Sequence, residues 1–432
     1  MLLILALVLG TGFLYLYHVN SAMSTTPEEA LKLSPKRWTI EEIKEVYKRC
    51  QESPVDITKS LPPKQSRRYV VVGGSGLVGA WIVSHLLARG EDPQCIRILD
   101  LLSPTREILG QGVTYVKTNI ANELDVTAAF ERQWSPSRSQ LPLSVFHTAA
   151  IIRPQDRLEI FLPLSTKVNV EGTRHILNAA KKAGATCLIS TSSGSVTLQR
   201  PRFWIAPWSK IPEHVVQVMK DDAKIPQSHE QFFGNYAVTK IEAERIVRSA
   251  DDPESGFRTG CIRPTNGIYG LGTEHSNTIT GIYLRRGGCP TWIRNILHSF
   301  VHAENVSIAH LLYEQRLLEQ SEPGSKLPNT GGQAFVVSDP NPPISFDDLY
   351  KLITTLSKTP VSFLNVPPAP FLLMAYLVEL YAYVKFKYLS FLPALADDLD
   401  QIQPALFSIS DVYCIADHSR ATLAPEDGGW EG

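Results

Sequence analysis

Two residues spaced one helical turn apart could carry out proton transfer. Tyr236 and Lys240 are four positions apart in the segment YAVTK, which is predicted to open a helix. This spacing places the phenol and the ammonium on the same helix face. A nearby ammonium favours the phenolate and lowers the pKa of a tyrosine, so Tyr236 could remove the proton of an alcohol while hydride leaves the carbon. The pair therefore predicts an acid–base site for alcohol oxidation.

A third polar residue strengthens this interpretation. Tyr-x-x-x-Lys alone is common, and most instances lie on solvated helix surfaces. Here Ser193 precedes the pair, in the segment LISTSSGSV at the end of a predicted strand. In a parallel sheet, ligands bind outside the carboxyl ends of the strands. Ser193 is therefore predicted to offer a second hydrogen bond to the substrate oxygen.

The segment YVVVGGSGLVGAWIVSHLLAR reads as a strand, a glycine turn and a helix. Gly73, Gly76 and Gly79 occur at G-x-x-G-x-x-G spacing. The first permits a tight turn, the second lets the backbone approach a pyrophosphate, and the third lets the helix pack closely on the strand. The phosphates would lie at the helix N-terminus. The segment predicts a dinucleotide site.

The next apolar run ends in Asp100, about twenty residues further on. A carboxylate at this position accepts hydrogen bonds from both hydroxyls of the adenine ribose and repels a 2′-phosphate, which favours NAD over NADP. The alternative is that Asp100 merely opens the loop after a strand.

Strand-like and helix-like segments alternate along the first two thirds of the chain. Alternation of this kind predicts a parallel sheet covered on both faces. After Pro264 the alternation ends, and Gly, Pro and aromatic residues become frequent. The predicted fold is α/β: a Rossmann-type doubly wound parallel sheet with a smaller C-terminal substrate lobe and an N-terminal hydrophobic anchor. The predicted strands beyond the first two are 113–116, 143–150, 185–191 and 259–263, and the main helices are 164–183 and 236–250.

The N-terminus departs from the composition of a soluble protein. Residues 2–17 form an uninterrupted apolar or small stretch, near the lower limit for a membrane span. A cleavable signal peptide is the rival interpretation, but the basic residue of an n-region is missing. Basic residues follow the stretch instead, so an uncleaved anchor with the catalytic part in the cytosol is favoured. A second apolar stretch, 371–384, contains only Glu379 as a charge; it is either a core helix or an interfacial membrane helix.

Charge and cysteine usage exclude several functions. The chain has 432 residues, with 42 Lys plus Arg against 43 Asp plus Glu, so nucleic acid is not expected as a partner. Its six cysteines are scattered without a C-x-x-C pair, which is typical of reduced thiols. His147 stands alone in an apolar strand and is interpreted as a core residue, so no metal is predicted.

Together these motifs resemble the extended short-chain dehydrogenases/reductases, over roughly residues 69–420. Within that superfamily the chain most resembles the 3β-hydroxysteroid dehydrogenase group, which includes the decarboxylating sterol-4α-carboxylate 3-dehydrogenases. The segments that carry the resemblance are VVGGSGLVG, ILDL, FHTAA, NVEGT, TSSGSV, YAVTK, IRPTNGIYG and VHAENVSIAH.

The resemblance implies roles for individual residues. Ser193, Tyr236 and Lys240 would be the catalytic residues. Tyr236 and Lys240 would also bind the cofactor, Lys240 through the nicotinamide ribose. Asn119 and Ile120 would flank the adenine. Gly73, Gly76, Gly79 and Asp100 would hold the dinucleotide, while Asn169 would brace the sheet.

Two positions depart from the family pattern. Val72 replaces a threonine, and Asn119 replaces an acidic residue at the adenine edge. The segment between Ser193 and Tyr236 is long and aromatic, and it is interpreted as a substrate lid or, alternatively, as packed loop. It contains Phe203, Trp204, Trp208, Phe232 and Phe233.

The resemblance implies NAD-dependent oxidation of a 3β-hydroxyl on a sterol or triterpenoid, with loss of carbon dioxide where a 4α-carboxylate is present. It also implies the endoplasmic reticulum membrane as the location, with the catalytic domain facing the cytosol; a homodimer remains open. The predicted units are an anchor at 1–20, a linker at 21–66, an NAD-binding domain at 67–264 and a substrate lobe at 265–432.

Three alternatives remain. A nucleotide-sugar epimerase or dehydratase would need a basic cluster facing the cleft, for which Arg285, Arg286 and Arg294 are the candidates. A dehydrogenase of specialised terpenoid biosynthesis would share the chemistry. A non-catalytic NAD-binding scaffold is disfavoured because Ser193, Tyr236 and Lys240 are all present.

Overall fold

The computed structural model describes residues 1–272 and 278–430. The strands are β1 Arg68–Val72, β2 Ile96–Asp100, β3 Thr114–Lys117, β4 Leu143–His147, β5 Ala185–Thr191, β6 Val216–Met219, β7 Arg258–Pro264, β8 Ile268–Tyr269, β9 Gly288–Thr291, β10 Leu297–His298, β11 Val301–His302, β12 Ala334–Val337, β13 Ile344–Ser345, β14 Ser362–Asn365 and β15 Tyr413–Ala416. The helices are α1 Leu2–Ser24, α2 Glu28–Leu33, α3 Ile40–Glu52, α4 Leu77–Ala88, α5 Arg106–Gly110, α6 Glu123–Glu131, α7 Pro136–Ser139, α8 Leu162–Thr166, α9 Gly172–Lys182, α10 Asn235–Arg248, α11 Ile279–Arg286, α12 Ala303–Gln320, α13 Phe346–Leu356, α14 Pro368–Lys387, α15 Asp397–Gln401 and α16 Pro404–Ser410.

A seven-stranded parallel sheet forms the centre of the molecule, in the order β12-β7-β5-β4-β1-β2-β3. Its inner strands are almost continuous apolar runs, because helices bury both faces of a parallel sheet. Helices α4 and α12 cover one face, and α6, α9 and α10 cover the other. The strand order reverses between β4 and β1, which is where this architecture binds ligands. The predicted fold class is confirmed.

A smaller lobe packs beside the carboxyl ends of these strands. Its largest sheet has four strands in the order β13-β10-β15-β6, and two pairs of short strands, β8 with β11 and β9 with β14, flank it. The core of this lobe is aromatic: Phe346, Tyr350 and Phe363 pack against one another, with Tyr350 and Phe363 stacked at a centroid distance of 4.0 Å.

The two sheets exchange segments across the predicted boundary at residue 264. Strand β12 pairs with β7 at the edge of the large sheet, although it comes from the range 265–432. Strand β6 pairs with β15 in the small sheet, although it comes from the range 67–264. One sequence boundary therefore does not separate the two lobes, because both pairings join segments that are far apart in the chain.

The N-terminal helix α1 runs to Ser24, beyond the predicted anchor at 1–20. Most of it is exposed, but its last turns are buried against α14. The Ala369 N–H of α14 donates to Asn20 of α1 (3.2 Å), and the Tyr15 hydroxyl of α1 donates to the Ile205 carbonyl in the segment that precedes α10 (3.0 Å).

The predicted linker at 21–66 also packs on the protein. Its helix α3 begins with a capping box formed by Thr39 and Glu42. Just before it, Arg37 and the Trp38 N–H bind the carboxylate of Asp348 at the start of α13. This segment is therefore docked on the smaller lobe rather than being a free tether.

Candidate active site

The glycine turn joins β1 to α4 at the carboxyl edge of the large sheet. Gly73 has a φ of +82°, and a Cβ there would lie 2.6 Å from the Ala149 nitrogen. A Cβ at Gly79 would overlap the carbonyl of Gly73, so both positions require glycine. Gly76 is the N-cap of α4, and its N–H donates to the Gly73 carbonyl (3.0 Å).

The carboxylate of Asp100 lies directly beside this turn. One oxygen accepts from the Ser75 N–H (3.0 Å) and the other from the Leu102 N–H (3.2 Å). Asp100 therefore orders its own loop, as the simpler interpretation holds, and its carboxylate also lines the same cleft as the glycine turn.

The two residues predicted at the adenine edge differ in their environment. Asn119 is exposed, and its side-chain oxygen accepts from the Ala121 N–H (3.1 Å). Ile120 is 7% exposed, and its carbonyl is 2.9 Å from Nδ1 of His175. Both residues line the cleft.

Ser193 follows β5 and caps a short helical turn. Its Oγ is 2.8 Å from the Oγ of Ser195, and Ser193 lies close enough to the phenol of Tyr236 to favour a lower pKa for it. The structure thus places two of the three predicted catalytic residues beside each other in one cleft. Ser195 was not identified from the sequence, although it belongs to the same serine-rich segment.

The ammonium of Lys240 is buried and donates to the carbonyl of Thr191 (2.6 Å). Burial lowers the pKa of Lys240 to about 8. Burial also raises the pKa of Tyr236 to about 12, against the opposing hydrogen bond from Ser193. This is opposite to the lowered tyrosine pKa expected from the spacing, because desolvation of the phenolate outweighs any help from the ammonium.

The start of α10 holds Tyr236 in place. The Asn235 N–H donates to the Asp156 carbonyl (2.8 Å), and the Asn235 amide donates to the Leu158 carbonyl (2.9 Å). A Cβ at Gly234 would lie 2.8 Å from the same Asp156 oxygen. The close approach of these two segments depends on the glycine.

A buried ion pair supports the site from below. Glu244, one turn after Lys240, accepts from Ser192 (2.6 Å) and from Arg263 Nη2 (2.6 Å). Burial alone would raise the pKa of Glu244, but the hydrogen bonds from Arg263 hold it below its ordinary value. The pair ties β5, α10 and β7 together, a link that the sequence analysis missed.

Two other polar residues near the site have structural roles. Asn169 accepts from the Ile151 N–H (2.9 Å) and donates to the Thr239 hydroxyl (3.0 Å), which is the bracing role expected of it. His147 contacts the Thr173 hydroxyl through Nε2 (2.9 Å). Burial, followed by the charge of Lys240, lowers the pKa of His147 to about 3, so it is neutral. No group of His, Cys, Asp and Glu suited to a metal occurs among the residues that the structure describes.

One cleft of about 970 Å³ connects the glycine turn with Ser193, Tyr236 and Lys240. The predicted residues that line it are Gly73, Gly76, Gly79, Asp100, Asn119, Ile120, Ser193, Tyr236 and Lys240. At its other end the walls are apolar and aromatic, and they include Tyr283, Trp292, Phe300, Phe346 and Ile409.

The cofactor end of the cleft suits a dinucleotide. A side chain at Gly73 would fill the space beside Ala149, so the backbone there can approach a ligand closely. Thr265 also lines the cleft, and its buried hydroxyl has no hydrogen-bond partner within residues 1–272 and 278–430. An unpaired buried hydroxyl is expected to meet a ligand or water.

The aromatic segment between Ser193 and Tyr236 is only partly directed at the cleft. Phe233 lines it, whereas Phe203 packs against α1 and α14. Trp204 lies between Tyr15 and Tyr376, and Trp208 is 85% exposed. Phe203 and Trp204 therefore join this segment to α1 and α14, and of its five aromatic residues Phe233 lines the cleft.

Comparisons with known proteins identify relatives. The sequence model described as the 3-beta hydroxysteroid dehydrogenase/isomerase family matches residues 70–360. The human sterol-4-alpha-carboxylate 3-dehydrogenase, decarboxylating, is 28% identical over 304 residues, which cover 70% of this chain and 70% of that protein. The mouse 3 beta-hydroxysteroid dehydrogenase type 7 is 29% identical over 294 residues, covering 65% and 70%.

Solved structures share the fold at low sequence identity. MoeE5 in complex with UDP-glucuronic acid and NAD is similar with a TM-score of 0.54 and 16% identity, over 82% of this chain and 91% of that one. The UDP-glucose 4-epimerase of Thermotoga maritima gives a TM-score of 0.51 and 17% identity, over 84% and 96%. These likenesses support the architecture alone.

Proposed function

The chain belongs to the 3-beta hydroxysteroid dehydrogenase/isomerase family, and we propose that it oxidises the 3β-hydroxyl of a sterol or triterpenoid to a ketone. As a member of this family it is an NAD-dependent oxidoreductase. The observation that supports the substrate is the cleft, which runs from the glycine turn past Ser193, Tyr236 and Lys240 into an apolar, aromatic end.

The cofactor would be held by the residues of the first strand–turn–helix unit. Gly73, Gly76 and Gly79 would let the backbone approach the pyrophosphate, and Asp100 would accept from the adenine ribose. Asn119 and Ile120 would flank the adenine. When bound, NAD supplies the hydride acceptor.

The chain's own residues would manage the proton. Ser193 would hold the substrate oxygen through its hydroxyl, and Tyr236 would take the hydroxyl proton. The phenol must first ionise, and its raised pKa makes ionisation the demanding step. Lys240 would favour the phenolate through its charge while Thr191 holds its ammonium in position.

The apolar end of the cleft also suits a decarboxylating variant of the reaction. Oxidation of a substrate with a 4α-carboxylate gives a β-keto acid, which can lose carbon dioxide through an enol without further protein groups. Among the described residues that line the cleft, Asp100 and Lys240 are the only Asp, Glu, Lys or Arg. A 4α-carboxylate would be attached to the carbon next to the reacting one, beside Tyr236 and Lys240, and its loss as carbon dioxide would require no further charged residue.

The same distribution of charge disfavours a nucleotide-sugar substrate. Arg286 pairs with Asp398, and Arg294 pairs with Asp347 (2.6 Å). Neither arginine lines the cleft, and Arg285 does not line it either. A diphosphate in the substrate position would then lack the cationic partners that such groups require.

Membrane attachment is the second part of the proposal. Within the described residues, the helices containing α1 and α14 are long and apolar enough to cross a bilayer. Leu373, Leu377 and Leu380 form an exposed stripe on α14, while Glu379 faces the protein and pairs with Arg157. We assign α1 as the anchor and α14 as an interfacial helix of an enzyme on the cytosolic side of the endoplasmic reticulum membrane.

The test is NADH absorbance with membrane-associated protein, NAD and a 3β-hydroxysterol, with and without a 4α-carboxylate. A Tyr236→Phe variant is the control. If NAD is reduced only with the 4α-carboxylated sterol, and carbon dioxide is released, the protein is a decarboxylating dehydrogenase. If NAD is reduced with both sterols, it is a broader 3β-hydroxysteroid dehydrogenase. Reduction with neither sterol, in protein that binds NAD, would overturn the proposal and direct attention to nucleotide sugars.

A further inference from the structure

Trp292 lies between the cleft and the two membrane-seeking helices. It follows β9, and its half-buried indole lines the apolar end of the cleft. Its other side stacks on Phe407 of α16, with ring centroids 4.5 Å apart. It also makes an edge contact with Phe371 of α14, with ring centroids 4.9 Å apart. One side chain thus forms part of the wall that separates the cleft from α14.

The indole belongs to two apolar clusters. On one side are the aromatic residues of the smaller lobe, including Tyr283 and Phe300. On the other side are the buried ends of α1 and α14, including Met23 and Leu372. Displacement of this indole would connect the two clusters, and with them the cleft and the surface that carries the exposed leucines of α14.

The polar atom of the indole is unpaired among the residues that the structure describes. Nε1 of Trp292 is buried and makes no hydrogen bond in the part of the chain that the structure describes. Buried indole N–H groups usually have a partner, because an unpaired donor costs free energy. The ring is therefore positioned by aromatic and apolar contacts, and an oxygen atom of a bound substrate could satisfy the donor.

Resting on the proposed function, we infer that Trp292 contacts the substrate and is the gate through which an apolar fused-ring alcohol passes between the bilayer and the cleft. The flat indole suits stacking on a rigid ring system, and the neighbouring wall residues Leu406 and Ile409 of α16 are apolar. Trp292 then determines specificity for large, rigid alcohols over small ones.

Binding gives the first readout. In full-length protein reconstituted in vesicles, energy transfer from tryptophan to the fluorescent sterol dehydroergosterol is measured for the wild type, Trp292→Phe and Trp208→Phe. Trp208 is the matched control because it is exposed and does not line the cleft. We expect a larger loss of transfer in Trp292→Phe than in Trp208→Phe. Equal losses would overturn the inference, whether or not the sterol is oxidised.

Kinetics give the second readout. The ratio of kcat/KM for a hydroxysterol to that for a small alicyclic alcohol should fall about tenfold in Trp292→Ala, since a ring-sized contact is lost. Damage to the fold would lower both values together and leave the ratio unchanged. Trp292→Phe keeps the stacking on Phe407 and tests the inference where the alanine variant does not fold.

The source of the sterol tests the gate itself. A gate predicts that Trp292→Phe changes KM for sterol supplied in phospholipid vesicles more than KM for sterol supplied on cyclodextrin, with NAD affinity unchanged. The gate would be contradicted if the ratio of the variant's KM to the wild-type KM were the same for sterol from vesicles and for sterol from cyclodextrin. A wild type that oxidises no hydroxysterol but still shows Trp292-dependent energy transfer would remove the proposed function and leave the contact in place.

Discussion

The two ends of the cleft are built in different ways. The cofactor end comes largely from one continuous stretch, β1 to β2, in which the turn, the helix and Asp100 follow one another within residues 68–100. The substrate end is assembled from α11, β9, β10, α13 and α16, which are spread over residues 279–410. Cofactor recognition is therefore local in sequence, whereas substrate recognition depends on long-range packing. Separate substitutions should show whether the two ends act independently.

The largest expected effect is on kcat and concerns Tyr236, which lies between the two ends of the cleft. Tyr236→Phe removes the phenol but keeps the ring, so kcat should fall about 10³-fold, since general base catalysis contributes on this order. NAD affinity should stay within about twofold, because no hydrogen bond to the glycine turn is lost. Steady-state kinetics and a fluorescence titration with NADH measure the two quantities. A tenfold loss of affinity with kcat unchanged would assign Tyr236 to the cofactor end instead.

Helix α14 packs behind the substrate end through Phe371 and Trp292, and a long-range ion pair holds this helix on the protein. Arg157 binds both oxygens of Glu379 on α14, at 2.6 and 2.7 Å, and both side chains are mostly buried. Glu379→Gln leaves the arginine charge without a partner and should lower the free energy of unfolding by about 3 kcal/mol. Thermal and denaturant unfolding in detergent measure the change.

An exposed ion pair provides the matched control for Glu379. Glu131 and Lys182 are 2.7 Å apart with exposed side chains, so Glu131→Gln should change the free energy by less than about 0.5 kcal/mol. Equal effects of the two substitutions would mean that α14 is not held by its ion pair. The inference that the substrate end relies on this distant contact would then be wrong.

At the cofactor end we expect a loss of stability and of NAD affinity when close backbone packing is disturbed. Gly79→Ala places a Cβ against the Gly73 carbonyl, which should lower the free energy of unfolding by about 2 kcal/mol and weaken NAD binding. Gly110→Ala is the control, since nothing lies within 4 Å of a Cβ there. Denaturant unfolding and NADH titration measure both variants, and an intact Gly79→Ala protein with normal NAD affinity would contradict the tight turn.

The local end was largely predictable from the sequence. β5 at Ala185–Thr191 matches its predicted range, and the turn with Gly73 forms as the spacing indicates. Each of these features depends on neighbouring residues: a buried run of apolar residues, a positive φ, or a spacing of one helical turn. Such features can be predicted directly from the order of the amino acids.

The remote features were not predictable in the same way. The pairing of β12 with β7 and of β6 with β15 joins segments about 70 or more residues apart, and no local signal specifies it. The stacking of Trp292 on Phe407 and the docking of α1 on α14 are also long-range. The raised pKa of Tyr236 was missed because burial, which decides its direction, is a property of the whole fold.

A smaller effect is expected at Asp100. Asp100→Ala should lower NAD affinity about tenfold, as expected for a lost hydrogen bond to a charged group, and should improve NADP binding, because a repulsive charge is removed. Asp100→Asn separates the two roles of the residue: it removes the charge but keeps an acceptor for Ser75 or Leu102. If NADP affinity rises only in the alanine variant, loop order rather than charge selects the cofactor.

The smallest expected effect is on the pH dependence of kcat/KM, which is set by the protonation states of Tyr236 and Lys240 between the two ends of the cleft. Because the pKa of Tyr236 is raised to about 12, the phenolate fraction grows with pH throughout the neutral range, so kcat/KM for oxidation should rise above about pH 6. Because the pKa of Lys240 is lowered to about 8, the ammonium that favours the phenolate is lost above that pH, and the rise should flatten there. In Lys240→Arg the charge persists, so the residual activity should keep rising above about pH 8. A wild-type profile that keeps rising past this point would show that Tyr236 ionises without help from Lys240, and Ser193 would then be the residue that favours the phenolate against its burial.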